Sequence, residues 1–192
     1  MTGRRILFVN ACVNCGTSRT MRLAGELLSR FRDDDVEELH MEAMGLGPLS
    51  SETVVRRARL ASEGRFDDPV FDLPRMLASA DTVVLATPFW ESSYSSYAKL
   101  FLEHSAAIGV TFRYAEDGSA VGLCRARALY YVTTRGGPVG DYDDLGYRNV
   151  RDLARTYGIK ECIAVSACGL DMPGADVDSL LADAASRIPE AP

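Results

Sequence analysis

Between Arg5 and Asn10 the chain runs through four consecutive apolar residues, Ile6-Leu7-Phe8-Val9, with no polar alternation. A continuous run this short, closed by polar residues, predicts a strand buried on both faces, as in a parallel sheet. The period then changes. Beyond a loop containing Gly16, Met21, Ala24, Leu27, Leu28 and Phe31 recur at helical spacing behind Ser18, a residue type suited to capping a helix N-terminus. Val36 to Met41 predicts a second, weaker strand, and Ser51 to Gly64 a polar, arginine-bearing helix capped by Ser50 or Ser51. A helix over Leu73 to Ala80 leads through Asp81 into Thr82-Val83-Val84-Leu85-Ala86-Thr87, the most strand-like run in the chain, which Pro88 stops. Helical spacing returns from Ser95 to Ile108. Val110 to Tyr114 and Ala120 to Leu123 flank the turn Glu116-Asp117-Gly118 and predict a small inserted hairpin. Ala126 to Thr134 predicts the next core strand. A helix from about Asp144 to Tyr157, closed by Gly158, leads to a strand over Ile159 to Ala167, and a last helix covers Ala175 to Ile188.

Strands alternating with helices, without an internal repeat, give an α/β fold: an open parallel sheet covered on both faces, a three-layer sandwich. At 192 residues, 47% hydrophobic and 25% charged, the expectation is a single folded domain over 1–192. The net charge of -6 supplies no broad positive field, so neither nucleic acid nor an anionic membrane surface is an expected partner. The four apolar residues near the N-terminus fall short of the roughly 7–15 of an export signal, and no stretch approaches the ~18 that span a bilayer. A cytoplasmic location is expected. Five cysteines, an odd number, read mostly as reduced thiols.

In a doubly wound sheet, ligands bind beyond the carboxyl ends of the strands, so the segments that follow the strands carry the candidate chemistry. After the first strand, Asn10 to Thr20 is rich in hydroxyls and enters a helix, so backbone amides, the helix dipole, Ser18 and Thr20 can surround a phosphate, with Arg19 adding positive charge. The segment lacks both the Lys-Ser/Thr ending of a nucleoside-triphosphate loop and the G-x-G-x-x-G spacing of a dinucleotide fingerprint, which leaves a monophosphate as the simplest ligand. A plain helix cap with a solvated arginine explains the same residues. After the strand at 82–87, Phe89 and Trp90, the only tryptophan, offer a packing surface for a flat ring or a cover for the end of the core. After Thr134, Gly136 and Gly137 let backbone amides approach a ligand edge, and Gly-Gly-Pro is equally a common turn.

Together with the segment Gly109-Val-Thr-Phe-Arg-Tyr-Ala-Glu-Asp-Gly118 and the Thr134-Arg-Gly-Gly137 end of a strand, these loops give the chain its resemblance to the FMN-dependent NADH-azoreductase and NAD(P)H-quinone oxidoreductase family. The resemblance implies a flavodoxin-like fold with strand order 2-1-3-4-5, not counting the hairpin. It implies FMN held by three loops: Ser18, Arg19 and Thr20 at the phosphate, with Asn10 beside it; Pro88, Phe89, Trp90, Glu91 and Ser92 flanking the ring system; and Thr134, Arg135, Gly136 and Gly137 at its opposite edge. NADH or NADPH would donate hydride, and a small aromatic acceptor, a quinone or azo compound, would receive it in a second half-reaction. A homodimer, with the site at the subunit interface and Phe112 able to wall it, is implied as well. Two departures bear on the chemistry: Glu91 places a carboxylate where relatives often carry an amide, and Pro138 stands where a histidine often follows the glycine pair.

No residue is a certain catalyst. Arg135 could help stabilise charge on a reduced flavin, or could form a surface ion pair. Two other functions compete: an electron carrier that binds FMN but does not turn over NAD(P)H, and a thiol-disulfide protein built on Cys12-Val-Asn-Cys15, a C-x-x-C between a strand and a helix start. No metal site is expected, because neither His40 nor His104 has ligand spacing to these cysteines.

Overall fold

The computed structural model describes residues 3–138 and 144–189. Five parallel strands, β1 (Arg5–Asn10), β2 (Asp35–His40), β3 (Thr82–Ala86), β6 (Ala128–Thr134) and β7 (Glu161–Ala167), form one sheet in the order β2-β1-β3-β6-β7. Leaving out the hairpin β4 (Phe112–Tyr114) and β5 (Ala120–Gly122), this is the expected order 2-1-3-4-5. Among the described residues six α-helices accompany the strands: α1 (Arg19–Leu28), α2 (Ser51–Ser62), α3 (Asp72–Ser79), α4 (Ser96–Ser105), α5 (Leu145–Thr156) and α6 (Val177–Ser186). None of them is long and apolar enough to cross a membrane.

Period-two geometry sends alternate residues of the unbroken apolar runs to opposite faces. Leu7, Val9, Val83, Leu85, Leu129 and Tyr131 pack with Leu77 of α3, Phe101 of α4 and Val150 of α5. Ile6, Phe8, Val84, Tyr130 and Val132 pack with Leu23 and Leu27 of α1 and Leu181 of α6. The strands had to be apolar on both sides because each side faces helices. The two edge strands depart from this: β7 is only partly buried, and the first four residues of β2 are exposed, which explains its weak sequence signal.

Several boundaries move for local reasons. The α-helix after the first loop ends at Leu28, and Phe31 reaches the core through a 3₁₀ turn, Ser29–Phe31. Asp176, whose side chain accepts from the Ser179 amide, starts α6 two residues beyond the expected start. The hairpin is shorter than the sequence suggests because Thr111 is drawn into a buried turn, its hydroxyl accepting from the Ala107 amide at 3.0 Å.

The helices α1, α4, α5 and α6 run back antiparallel to the strands they follow, so their N-termini lie at the carboxyl edge of the sheet and their C-termini at the amino edge. The hairpin packs at the amino edge, where Cys124 donates its amide to Tyr157, at the end of α5, and Arg125 donates to Ala78, at the end of α3. Gly122 crosses Gly158 and Tyr157 so closely that a β-carbon at 122 would overlap their backbone.

Candidate functional site

Four loops meet at the carboxyl edge. The first follows β1. Asn10 is buried at its base with both side-chain polar atoms engaged: Oδ1 accepts from the Cys12 amide at 3.1 Å, and Nδ2 donates to Glu38 at 2.9 Å. Its influence on a ligand therefore runs through the shape of the loop. Ser18 caps α1, accepting from Met21 at 3.2 Å, while the amides of Arg19 and Thr20 have no acceptor among the described residues. These two N–H groups, at the positive end of the helix dipole, form the donor pair that a phosphate requires. Thr20 itself is buried, and its hydroxyl lies 2.6 Å from that of Thr134, so it joins the first loop to the end of β6.

The loop after β3 is tied down from beneath. Ser95 caps α4, donates to the Ala11 carbonyl at 2.7 Å and lies 3.2 Å from the Thr87 hydroxyl, which binds the first loop to this one. Phe89 donates its amide to Thr134 at 3.1 Å. Beyond it, Trp90 and Ser93 exchange two backbone bonds around Glu91 and Ser92, whose φ angles are +48° and +61°. Positive φ at both central positions is the geometry that favours Asn-Gly, so this turn holds two residues ill suited to it. It leaves the Trp90 ring half exposed and Glu91 turned to solvent. Ser92→Gly is expected to stabilise the protein by about 0.5–1 kcal/mol by relieving one of these angles. Thermal denaturation checks this, and an unchanged or lowered melting point would contradict it.

At the third loop, Arg135 stacks on Phe89, with its guanidinium carbon 4.0 Å from the ring centroid, and lies 3.5 Å from Asp144, which caps α5. Both groups are largely buried, so this is no surface pair. Arg135 braces the ring-flanking loop against the start of α5. Gly136 and Gly137 differ. A β-carbon at 136 would overlap the Asp171 carboxylate, whereas nothing lies within 4 Å of that position at 137. Gly137 thus presents the open backbone edge.

The fourth loop, after β7, carries groups the sequence reading did not assign. Gly169, Leu170 and Asp171 donate their amides to the carbonyls of Gly137, Arg135 and Gly136. Arg19 reaches across to pair with Asp171 at 2.7 Å and to donate to the Leu170 carbonyl at 3.1 Å. That guanidinium holds the Asp171 carboxyl below its usual range. The available signal was the Cys-Gly-Leu-Asp run directly after a strand, at the edge where ligands bind.

Phe112 does not join this cluster within one chain. It lies in the hairpin at the opposite, amino edge, with its ring 6.2 Å from that of Tyr157. One cavity, of about 700 Å³, lies at the amino edge between Arg4, Arg5, Asp81 and Arg127; another, of about 540 Å³, runs along β7 against α6 and reaches Arg135 and Cys168 at its loop end.

The Flavodoxin_2 family model, described by its flavodoxin-like fold, matches residues 4–190. The chain is 28% identical to FMN-dependent NADH:quinone oxidoreductase 2 of Clostridium acetobutylicum, over 97% of this chain and 96% of that protein. It is 26% identical to an FMN-dependent NADH:quinone oxidoreductase of Clostridium beijerinckii, with the same coverage of 97% and 96%. Its fold is similar to the crystal structure of an azoreductase from Bacillus anthracis str. Sterne, with a TM-score of 0.81, 19% identity and coverage of 97% and 96%. It is also similar to an FMN-dependent NADH-azoreductase from Bacillus anthracis str. Ames Ancestor in complex with FMN, with a TM-score of 0.78, 18% identity and coverage of 95% and 94%. Relatives named for NADH-dependent turnover set aside both the thiol-disulfide and the electron-carrier readings.

Proposed function

Because this chain belongs to the Flavodoxin_2 family, we propose that it is an FMN-dependent NAD(P)H oxidoreductase that reduces quinones, azo compounds or similar flat aromatic acceptors. The observation that carries this reading is the convergence at one sheet edge of a free pair of helix-opening amides, an exposed tryptophan and an open glycine backbone. These features fit the parts of FMN. The amides of Arg19 and Thr20, the Ser18 hydroxyl and the Arg19 charge suit its phosphate; Pro88, Phe89, Trp90, Glu91 and Ser92 suit a ring face; Gly136 and Gly137 suit a ring edge. Thr134, Asn10 and the buried part of Thr20 hold these groups in place.

FMN, when bound, supplies hydride acceptance from NADH or NADPH and hydride delivery to the acceptor, two half-reactions of a ping-pong cycle. The chain's part is to bind, orient and exclude. Arg135, fixed by Phe89 and Asp144, holds positive charge next to the glycine loop, where it favours negative charge at the ring edge. No described side chain is required as a proton donor, since solvent can protonate a reduced quinone.

We assign the whole of 1–192 to one FMN-binding domain. The site reading extends to a homodimer: since Phe112 sits at the far edge of its own chain, it can wall only the site of a second copy. Light scattering on the purified protein, together with the activity of Phe112→Ala, tests this. A monomer with full activity would remove Phe112 from the site. A cytoplasmic location accords with five free thiols.

The deciding experiment is an absorbance spectrum of the protein purified with added FMN, followed by anaerobic titration with NADH and with NADPH. Bound flavin bleached within seconds supports the oxidoreductase. Bound flavin that neither nucleotide bleaches, or no flavin binding, overturns it.

Asp171 gives a sharper test of the phosphate assignment. Its carboxylate competes for Arg19 and places negative charge beside the open amides. Asp171→Asn is expected to tighten FMN binding about three- to tenfold at low salt, with the gain shrinking as ionic strength rises. Flavin fluorescence quenching measures it, and weaker binding would move the phosphate elsewhere.

A further inference from the structure

The C-x-x-C run is absorbed by neither the fold nor the flavin reading, and its two thiols stand in unlike surroundings. Cys12 is buried, and burial pushes its thiol up to about 12, with the Cys15 charge adding to the rise against hydrogen bonds from Ser18 and Thr20. Cys15 is only partly buried. Its sulfur lies 3.3 Å from His40 Nε2 and 3.5 Å from Asn10 Nδ2. The carbonyl of Cys12 and Oδ1 of Asn10 lie farther off, each at 3.7 Å.

The role of His40 follows from its other nitrogen. Nδ1 accepts from the Ala43 amide at 3.2 Å, an amide shared with the His40 carbonyl, so the ring proton sits on Nε2 and points at the sulfur. Asn10 is oriented independently, its Oδ1 held by the Cys12 amide and its Nδ2 shared with Glu38. Two N–H donors on strand ends therefore converge on the partly buried Cys15 sulfur, where they can hydrogen-bond an oxygen added to it. Glu38 is the opposing group. No other cysteine has this environment: burial raises the thiols of Cys124 and Cys162 to about 12 and about 11, and Cys168 has no N–H donor on its sulfur among the described residues.

We propose that Cys15 is a modification site, a thiol that hydrogen peroxide oxidises to a sulfenic acid held by His40 and Asn10, and that Cys12 does not promptly convert to a disulfide. The Cys15 sulfur attacks one peroxide oxygen. An S–O bond forms, the O–O bond breaks, and two electrons pass from sulfur to the departing oxygen, which leaves as hydroxide and takes the proton the thiol released to solvent. The product carries an S–OH in place of S–H. Cys12, buried and largely protonated, is a poor thiolate to attack it.

The test uses the full-length protein, with and without added FMN, treated with equimolar hydrogen peroxide in the presence of dimedone and read by intact mass and peptide mapping. One dimedone adduct at Cys15 is expected, retained in Cys12→Ala and absent in Cys15→Ser. His40→Leu is expected to slow labelling about tenfold, and His40→Gln, whose amide can donate to the sulfur, to restore much of the rate. Circular dichroism confirms that each variant is folded. Labelling first at another cysteine, no labelling at all, immediate formation of a Cys12–Cys15 disulfide, or equal rates in His40→Leu and the parent would each overturn the proposal.

Discussion

Replacing Gly122 with alanine is expected to lower the unfolding free energy by about 3 kcal/mol, which for a chain of this size is a fall in melting temperature of roughly 10 °C. A β-carbon at 122 would overlap the backbone of Tyr157 and Gly158, where the end of the hairpin crosses the end of α5. No rotamer change relieves a clash with backbone. The hairpin must lift or the helix end must move, and either breaks the bond from the Cys124 amide to the Tyr157 carbonyl. Gly118→Ala, in the hairpin turn, is the control: no atom lies within 4 Å of its β-position, and only its positive φ is penalised, at about 1 kcal/mol. Thermal melts of both variants decide the matter, and equal losses would mean that the crossing tolerates separation.

The second large effect belongs to Ser95→Ala. This hydroxyl donates to the Ala11 carbonyl, meets that of Thr87 and caps α4 through the Ala98 amide, all in a buried position. Alanine leaves these groups without their partner, at a cost of about 2–3 kcal/mol. It also frees the first loop from the ring-flanking loop, so FMN affinity is expected to fall about tenfold, as misplaced donors lose their alignment. Ser50→Ala provides the comparison, since Ser50 caps α2 at an exposed position remote from the loops. Its cost is expected near 1 kcal/mol with FMN binding unchanged. Denaturant titration and flavin titration of the two variants separate loss of a cap from loss of the stitch. Equal flavin affinities would show that Ser95 is a cap alone.

Much of this arrangement was legible in the chain. Ile6 to Val9 and Val83 to Ala86 could only be strands covered on both faces, and the switch to helical spacing after each loop fixed the layers. Ser18 read as a cap, and Ser50 or Ser51 as another, because a hydroxyl before an amphipathic stretch has a local job to do. What escaped was every contact closed by the sheet order. Thr20 meets Thr134, and Arg19 meets Asp171, because α1 packs beneath β6 and α6 on the same face; no local pattern encodes that pairing. Thr20 was placed beside the phosphate for its hydroxyl and Asn10 by the family resemblance, and both side chains are buried in contacts within the chain. The placement of Phe112 was invisible for the opposite reason, since a motif marks a segment without saying at which edge of the sheet it lies.

The strand order also has a consequence for synthesis. β1 lies inside the sheet, between β2 and β3, and its register with β3 joins Ile6 to Thr82 and Asn10 to Ala86. As the chain leaves the ribosome, β1 and β2 can pair early, but the other side of β1 stays an apolar, unpaired edge until residues 82–86 have emerged. The nascent β1 segment is thus the stretch most exposed to chaperones and to mispairing with neighbouring chains, although the finished protein buries Ile6 to Asn10.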